Sequence, residues 1–153
     1  MADNNIWRTD LPAANEWQNG TQSDRVARGE ILAARVHEIP PGGRGAPFHF
    51  HHGNEEMLVV LRGRPALRTR AGERQLEEGE VVVFRRGPED AHTCSNDSDQ
   101  PARYLVISNN ASPDAVEYPD LGLLSVMAYT HDQFGRPLWN SREIEPPTKE
   151  SAS

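Results

Sequence analysis

Residues 43–63 read GRGAPFHFHHGNEEMLVVLRG. Three of the six histidines of the chain, His49, His51 and His52, fall here within four residues. Glu55 and Glu56 follow, and then the apolar run from Met57 to Leu61. In an extended chain, residues two apart project to the same face. His49 and His51 therefore present two imidazoles side by side, and a carboxylate arriving from the next strand completes a third corner. Two neutral imidazoles and one carboxylate are a donor set that Fe, Mn, Ni, Cu or Zn accepts. A polar loop ahead of a core strand would carry the same residue types. Paired histidine ligands with an acid close by place the metal reading above that one.

Outward from this stretch the chain alternates between short apolar runs and turn residues. Residues 56–62 read as a strand with Leu58 and Val60 on the side of Glu56, and with Met57, Val59 and Leu61 on the other. Such a run predicts a strand buried on both faces. A turn at Gly63-Arg64-Pro65 leads into a strand at 66–70, a tight connection at 71–73 and a short strand at 74–77. After Glu78-Gly79, residues 81–84 (VVVF) predict another strand buried on both faces. Gly87 and Pro88 break it, and strands at 91–95 and 102–108 follow, separated by a polar loop. Upstream, residues 30–39 read as a strand with Leu32, Ala34 and Val36 on one face and Ile31, Ala33 and Arg35 on the other. Pro40, Pro41, Gly42 and Gly43 end it. Residues 47–52 are short and extended, and 121–129 add a strand or pack across the others. Six or more short strands punctuated by turns, with no amphipathic helix, predict an all-β sandwich or barrel.

The ends read differently. Residues 1–29 are expected to be an N-terminal arm, polar and largely irregular, anchored by Ile6, Trp7, Leu11 and Trp17. Residues 30–130 form the barrel domain. Residues 131–153 are a C-terminal extension in which 137–139 anchor the chain. Its last part, with Pro146, Pro147 and no aromatic residue, is expected to be partly disordered.

Composition narrows the class. A chain of 153 residues builds one domain with a real core. Its 25% charged and 36% hydrophobic residues suit a soluble globular protein. No apolar run approaches the roughly 20 residues of a membrane helix. The start, MADNNIWRTD, lacks the basic segment and apolar core of a secretory signal, so a cytoplasmic location is expected. The single cysteine, Cys94, excludes an internal disulfide framework. The net charge is -7, and no dense cluster of Lys and Arg points to nucleic acid. The arginines at 62, 64, 68, 70 and 74 alternate with Pro, Gly and Glu and read as solvated hairpin edges.

His92 supplies the second half of the site. It follows the turn Gly87-Pro88-Glu89-Asp90 and begins a short strand. If that strand neighbours the one carrying His49 and His51, a further imidazole points inward. Three imidazoles and one carboxylate then leave positions open for water or substrate, which is what separates a catalytic metal from a structural one.

At this point the chain resembles the cupin superfamily. Its first segment pattern is matched by Gly43, five residues, His49-Phe50-His51, four residues, Glu56, six residues and Gly63. The second is matched less closely by Gly79, five residues, Arg85-Arg86-Gly87, four residues, His92, three residues and Asn96. Arg85 stands where the pattern has proline, and the loop ahead of His92 is two residues longer. The resemblance spans roughly residues 30–108. It implies a double-stranded β-helix, or jelly-roll barrel, with a divalent transition metal in its mouth held by His49, His51, Glu56 and His92. It also implies that many relatives are dimers.

The function this implies is a small metal-dependent enzyme acting on a small organic substrate. A dioxygenase-like oxidoreductase ranks first, because three histidines and a glutamate suit Fe or Mn. Isomerase, epimerase and decarboxylase chemistry are the alternatives within the family, and a non-catalytic sugar-binding or small-acid-binding module is the alternative outside catalysis. Of the remaining residues, the six-residue spacing to Gly63 favours Glu56 over Glu55 as ligand. His52 is expected in a supporting or exposed position, and His37 and His131 in structural ones. Cys94 shares a strand face with His92 and fills space as a small buried thiol. Arg103 and Tyr104 lie on opposite faces, so only one looks inward. A homodimer is expected because Met57, Val59, Leu61 and one face of 81–84 are apolar away from the cavity. The N-terminal arm, through Trp7 and Trp17, could cover that surface instead.

Overall fold

The computed structural model describes residues 4–14, 18–131 and 137–144. Among them the regular elements are all strands except one 3₁₀ turn at Pro88–Asp90. Strands β1 (Gln22–Arg28), β2 (Ala33–Ile39), β4 (Glu56–Arg62), β7 (Val81–Phe84) and β9 (Ala102–Ser108) make a five-stranded sheet in the order β1-β2-β9-β4-β7, antiparallel throughout. A second sheet takes β3 (Phe50–His51), β10 (Asp114–Tyr118), β11 (Leu123–His131) and β12 (Pro137–Ile144) in the order β12-β11-β10-β3. A third takes β5 (Ala66–Thr69), β6 (Gly72–Gln75) and β8 (His92–Ser95) in the order β6-β5-β8. The two smaller sheets are joined by a bridge between His49 and His92, whose backbones exchange N–H···O bonds of 3.0 and 2.9 Å. Together they face the five-stranded sheet as the jelly roll that the resemblance implies.

The main core fills the space between. Ile39, Leu58, Val60, Phe84 and Tyr104 enter from the large sheet, and Leu67, Leu76 and Cys94 from the opposite side. Strand alternation explains the selection: Leu58 and Val60 are each 1% exposed, whereas Met57 on the other face is 40% exposed. Burial of each such side chain contributes roughly 1.5–3 kcal/mol. Two pattern glycines are required by close approach. A Cβ on Gly43 would come within 2.8 Å of the Ile39 side chain. Gly63 has φ +79°, and its Cβ would meet the Pro101 carbonyl at 2.7 Å.

The outer face of the large sheet carries a smaller core in which Leu11, Val26 and Val36 are buried, with Ile6, Ala34, Leu61 and Leu105 packed against them. Arg103 fastens the N-terminal segment there. It donates to Glu38 Oε2 at 2.8 Å and to the carbonyls of Ile6 and Arg8 at 2.8 and 2.9 Å. Arg8 in turn pairs with Asp24 at 2.7 Å. Of the expected anchors, Ile6 and Leu11 pack, Trp7 is 52% exposed, and Trp17 lies outside the described residues.

Three differences from the sequence reading have physical causes. Gln22–Arg28 was expected to be irregular but forms the edge strand β1, which needs few apolar residues because only one side chain in two is covered. Residues 81–84 were expected to be buried on both faces, yet Val81 and Val83 are 53% and 46% exposed. Their strand, β7, ends the sheet, and the N-terminal segment covers Leu61 and Leu105 rather than this end. The strand expected from residue 30 begins at Ala33, leaving Ile31 and Leu32 exposed. Strands β10 and β12 also lacked a clear sequence signal. The tail from residue 145 onward lies outside the described residues. Among those residues no helix is long and apolar enough to cross a membrane.

Candidate metal centre

His49 and His51 lie at the joint between the two smaller sheets, His92 opens β8, and Glu56 opens β4 on the opposite wall. The jelly roll brings all four together. Ligand atoms of His49, His51 and Glu56 lie within 4.8 Å of one another, so these three could hold a metal ion. His92 stands beside this set: its Nε2 is 3.4 Å from Glu56 Oε2, and its ring centre is 4.7 Å from that of His49. The Nε2 of His51 is 3.5 Å from the same Glu56 oxygen.

The second nitrogen of each ring decides which one is free. His49 Nδ1 is 2.7 Å from the Pro47 carbonyl, His51 Nδ1 is 2.6 Å from Asp114 Oδ2, and His92 Nδ1 is 3.0 Å from the Asp90 carbonyl. A carbonyl or carboxylate oxygen can only accept, so each Nδ1 carries the hydrogen and donates it. In the neutral ring the lone pair is then on Nε2. Three such Nε2 atoms and one carboxylate are what a borderline divalent metal takes. Phe84 stacks on the His92 ring at 3.5 Å and limits how it can turn.

Asp114 is the residue that sequence reasoning missed. It is 2% exposed and lies on β10, which pairs with β3 through Val116 and His51. Besides His51, it accepts from the Gly53 N–H at 2.8 Å and from Asn54 Nδ2 at 2.9 Å. Sixty-three residues separate it from His51, and no local pattern marks it.

Electrostatics follow burial and neighbours. Burial, helped by the His92 and His51 charges, pushes His49 down to about 3. Burial alone would lower His51 as well, but the Asp114 hydrogen bond and the Glu56 and Asp114 charges outweigh it and raise the value. For Glu56, burial works upward, yet the hydrogen bond that His92 offers when its ring is protonated, together with the imidazole charges, holds the carboxyl at about 2. The centre is thus set to keep an ionised carboxylate among imidazoles.

A cavity of about 230 Å³ opens over His49, Glu56 and His92, with Leu58, Phe84 and Val106 as apolar wall. Tyr104 looks into it and Arg103 points away. Cys94 lines it as a buried thiol whose pKa burial pushes to about 12. His37 also lines it, stacked on Tyr104 at 5.0 Å, and its buried Nδ1 has no hydrogen-bond partner among the described residues. His52 is exposed and pairs with Glu117 at 2.7 Å, and the His131 side chain lies outside the described residues. Asn96 is fully buried and ties the loop after β8, donating from Nδ2 to the carbonyls of Ile39 and Gln100.

Comparison with known proteins gives a consistent picture. Residues 35–108 match the family model described as a cupin domain. A crystal structure of a sugar phosphate isomerase from a cupin superfamily, from Silicibacter pomeroyi, is 21% identical with a TM-score of 0.69, covering 86% of this chain and 82% of that one. A cupin-2 domain protein from Rhodospirillum rubrum is 19% identical with a TM-score of 0.57, covering 67% and 70%. A polyketide cyclase from Streptomyces resistomycificus is 23% identical with a TM-score of 0.57, covering 66% and 75%. At these identities the likeness is one of fold. No curated protein matches the chain.

Proposed function

We propose, from the match of residues 35–108 to a cupin domain, a metal-dependent enzyme that acts on a small organic substrate. One divalent transition metal, Fe or Mn before Ni, Zn or Cu, is held by His49, His51, Glu56 and His92. The observation that carries this reading is the convergence of free Nε2 atoms on the Glu56 carboxylate at the floor of a cavity. When bound, the metal supplies a Lewis acid or a redox centre with positions open to substrate. The chain's own part is to exclude water with Leu58, Phe84 and Val106 and to orient the substrate. Dioxygenase-like oxidation is the first reaction to test. Isomerisation, epimerisation or decarboxylation is the second reading, favoured by His37 and Tyr104, which put groups able to exchange protons on the cavity wall. Incubation of Fe- and Mn-loaded protein with small carboxylates, diketones, phenols and sugars under air, following oxygen uptake and product, separates them. Turnover without oxygen uptake selects the second, and binding of a compound that emerges unchanged with either metal selects a binding module.

Asp114 holds the His51 ring by its Nδ1–H, so Asp114→Asn is expected to weaken metal binding roughly 10- to 100-fold. Competition titration against a chelator reads the affinity directly. An unchanged value would mean that His51 keeps its orientation without the carboxylate.

We also infer a homodimer. Val81 and Val83 are exposed on β7, the terminal strand, next to the exposed Met57. An isologous contact sets β7 of one copy against β7 of another and covers both apolar edges at once. Light scattering is expected to give twice the chain mass for the native protein and the chain mass for Val81→Lys/Val83→Lys. A native protein that stays at the chain mass across a wide concentration range would refute it.

A further inference from the structure

We propose that Asn54 is a positioning residue: it fixes the Asp114 carboxylate and, through it, the His51 ring. The inference rests on the metal-centre reading above only for what the His51 Nε2 serves.

Four residues, 52–55, separate two of the proposed ligands, His51 and Glu56. A segment with a ligand at each end has to be held, because play of about half an ångström degrades a site. His52 and Glu55 are exposed, whereas Gly53 and Asn54 are half-buried and bond to Asp114.

Asn54 uses both ends of its amide. Its Oδ1 accepts from the Ala111 N–H, and its Nδ2 donates to Asp114 Oδ2 at 2.9 Å. A backbone N–H can only donate and a carboxylate can only accept, so the amide has one possible orientation. The carboxylate it meets is shared. Asp114 Oδ2 also takes the His51 Nδ1–H at 2.6 Å, and Oδ1 takes the Gly53 N–H at 2.8 Å. A plane held at two points can swing about the line that joins them, and a third donor stops it. Asp114 is 2% exposed, so a donor removed there leaves a buried acceptor short of a partner.

The other end of Asn54 ties this assembly to the chain after β9. Ala111 follows Asn110, which lines the cavity. Asn109 makes a second tie between the same two segments. Its Oδ1 accepts from the Glu55 N–H at 2.6 Å, and its Nδ2 donates to the Gly53 carbonyl at 3.2 Å. Both of these bonds go to backbone rather than to the carboxylate, which makes Asn109 the control for loop tethering alone.

The test follows two quantities in the full chain: Mn affinity by competition with a chelator, and exchange of the His51 Nδ1–H with water by NMR on chelator-stripped protein. Asn54→Ala is expected to weaken Mn binding roughly three- to tenfold. Its His51 Nδ1–H exchanges faster, while the rings of His49 and His92, held by the Pro47 and Asp90 carbonyls, keep their native exchange. Asn109→Ala leaves both readings as in the native chain. Asn54→Ala/Asp114→Asn binds Mn no more weakly than Asp114→Asn alone, because Asn54 acts through the carboxylate. Asn54→Ser also lacks the amide but suits a turn, carries the same expectations, and stands in if the alanine variant unfolds. In a native protein that binds Mn, an affinity unchanged by the Asn54 variants overturns the proposal. So does a double variant whose loss is the product of the two single losses, and so does an Asn109→Ala loss as large as that of Asn54→Ala. In a native protein that takes up no Mn the metal centre falls, and the positioning role stands or falls on whether His51 exchange quickens in the Asn54 variants.

Discussion

Replacing His49 and His51 together by alanine is expected to take bound metal from about one equivalent per chain to under about a tenth. Two of the four proposed ligands disappear, and those that remain stand on opposite walls. Glu56 on β4 and His92 on β8 are 3.4 Å apart, and neither brings a second donor with it. The double change also touches the fold. Asp114, buried at 2% exposure, loses the His51 Nδ1–H and keeps the Gly53 and Asn54 donors. A lost charge-assisted bond of this kind costs roughly 1.5–3 kcal/mol. Thermal unfolding followed by circular dichroism therefore accompanies elemental analysis, so that loss of metal can be told from loss of fold. A folded double variant that retains a full equivalent of metal would remove the centre from this site altogether.

Much of this site was legible because its information is local. The spacing from Gly43 to Gly63 carries both the turn requirements and the ligand faces. Alternation alone puts Glu56 with Leu58 and Val60, which are buried. His92 was harder, since its loop is longer than the pattern, but the reciprocal His49–His92 bridge sets it beside His49. What was not legible depends on pairings between distant strands. Asp114 reaches His51 only because β10 lies beside β3. Arg25 faces the cavity only because its polar strand pairs with β2 in a register that sets it opposite Arg35. A strand such as QSDRVAR has too little apolar alternation to announce itself, and Arg25 on its inward face lines a cavity rather than a core.

The strand register of β4 can be tested through its first two acidic residues. Glu56→Gln is expected to abolish stoichiometric metal binding at micromolar protein, and Glu55→Gln to leave it unchanged. Glu56 stands opposite Phe84 on β7 and Ser108 on β9, on the face that continues through the buried Leu58 and Val60. Its Oε2 lies 3.4–3.5 Å from the Nε2 atoms of His92 and His51. Glutamine keeps the shape but removes the negative charge that offsets a dication among imidazoles, and it brings an NH₂ group that repels one. Glu55 precedes the strand and is exposed, and its backbone N–H is occupied by Asn109 Oδ1 at 2.6 Å. Its side chain therefore projects to the face that carries Met57, away from the imidazoles. A shift of pairing by one residue would exchange the two roles and would also turn Leu58 and Val60 out to solvent. The two assignments thus predict opposite orders of metal affinity for the two glutamine variants. A larger loss in Glu55→Gln would place Glu55 in the centre and reverse every inward and outward assignment along β4.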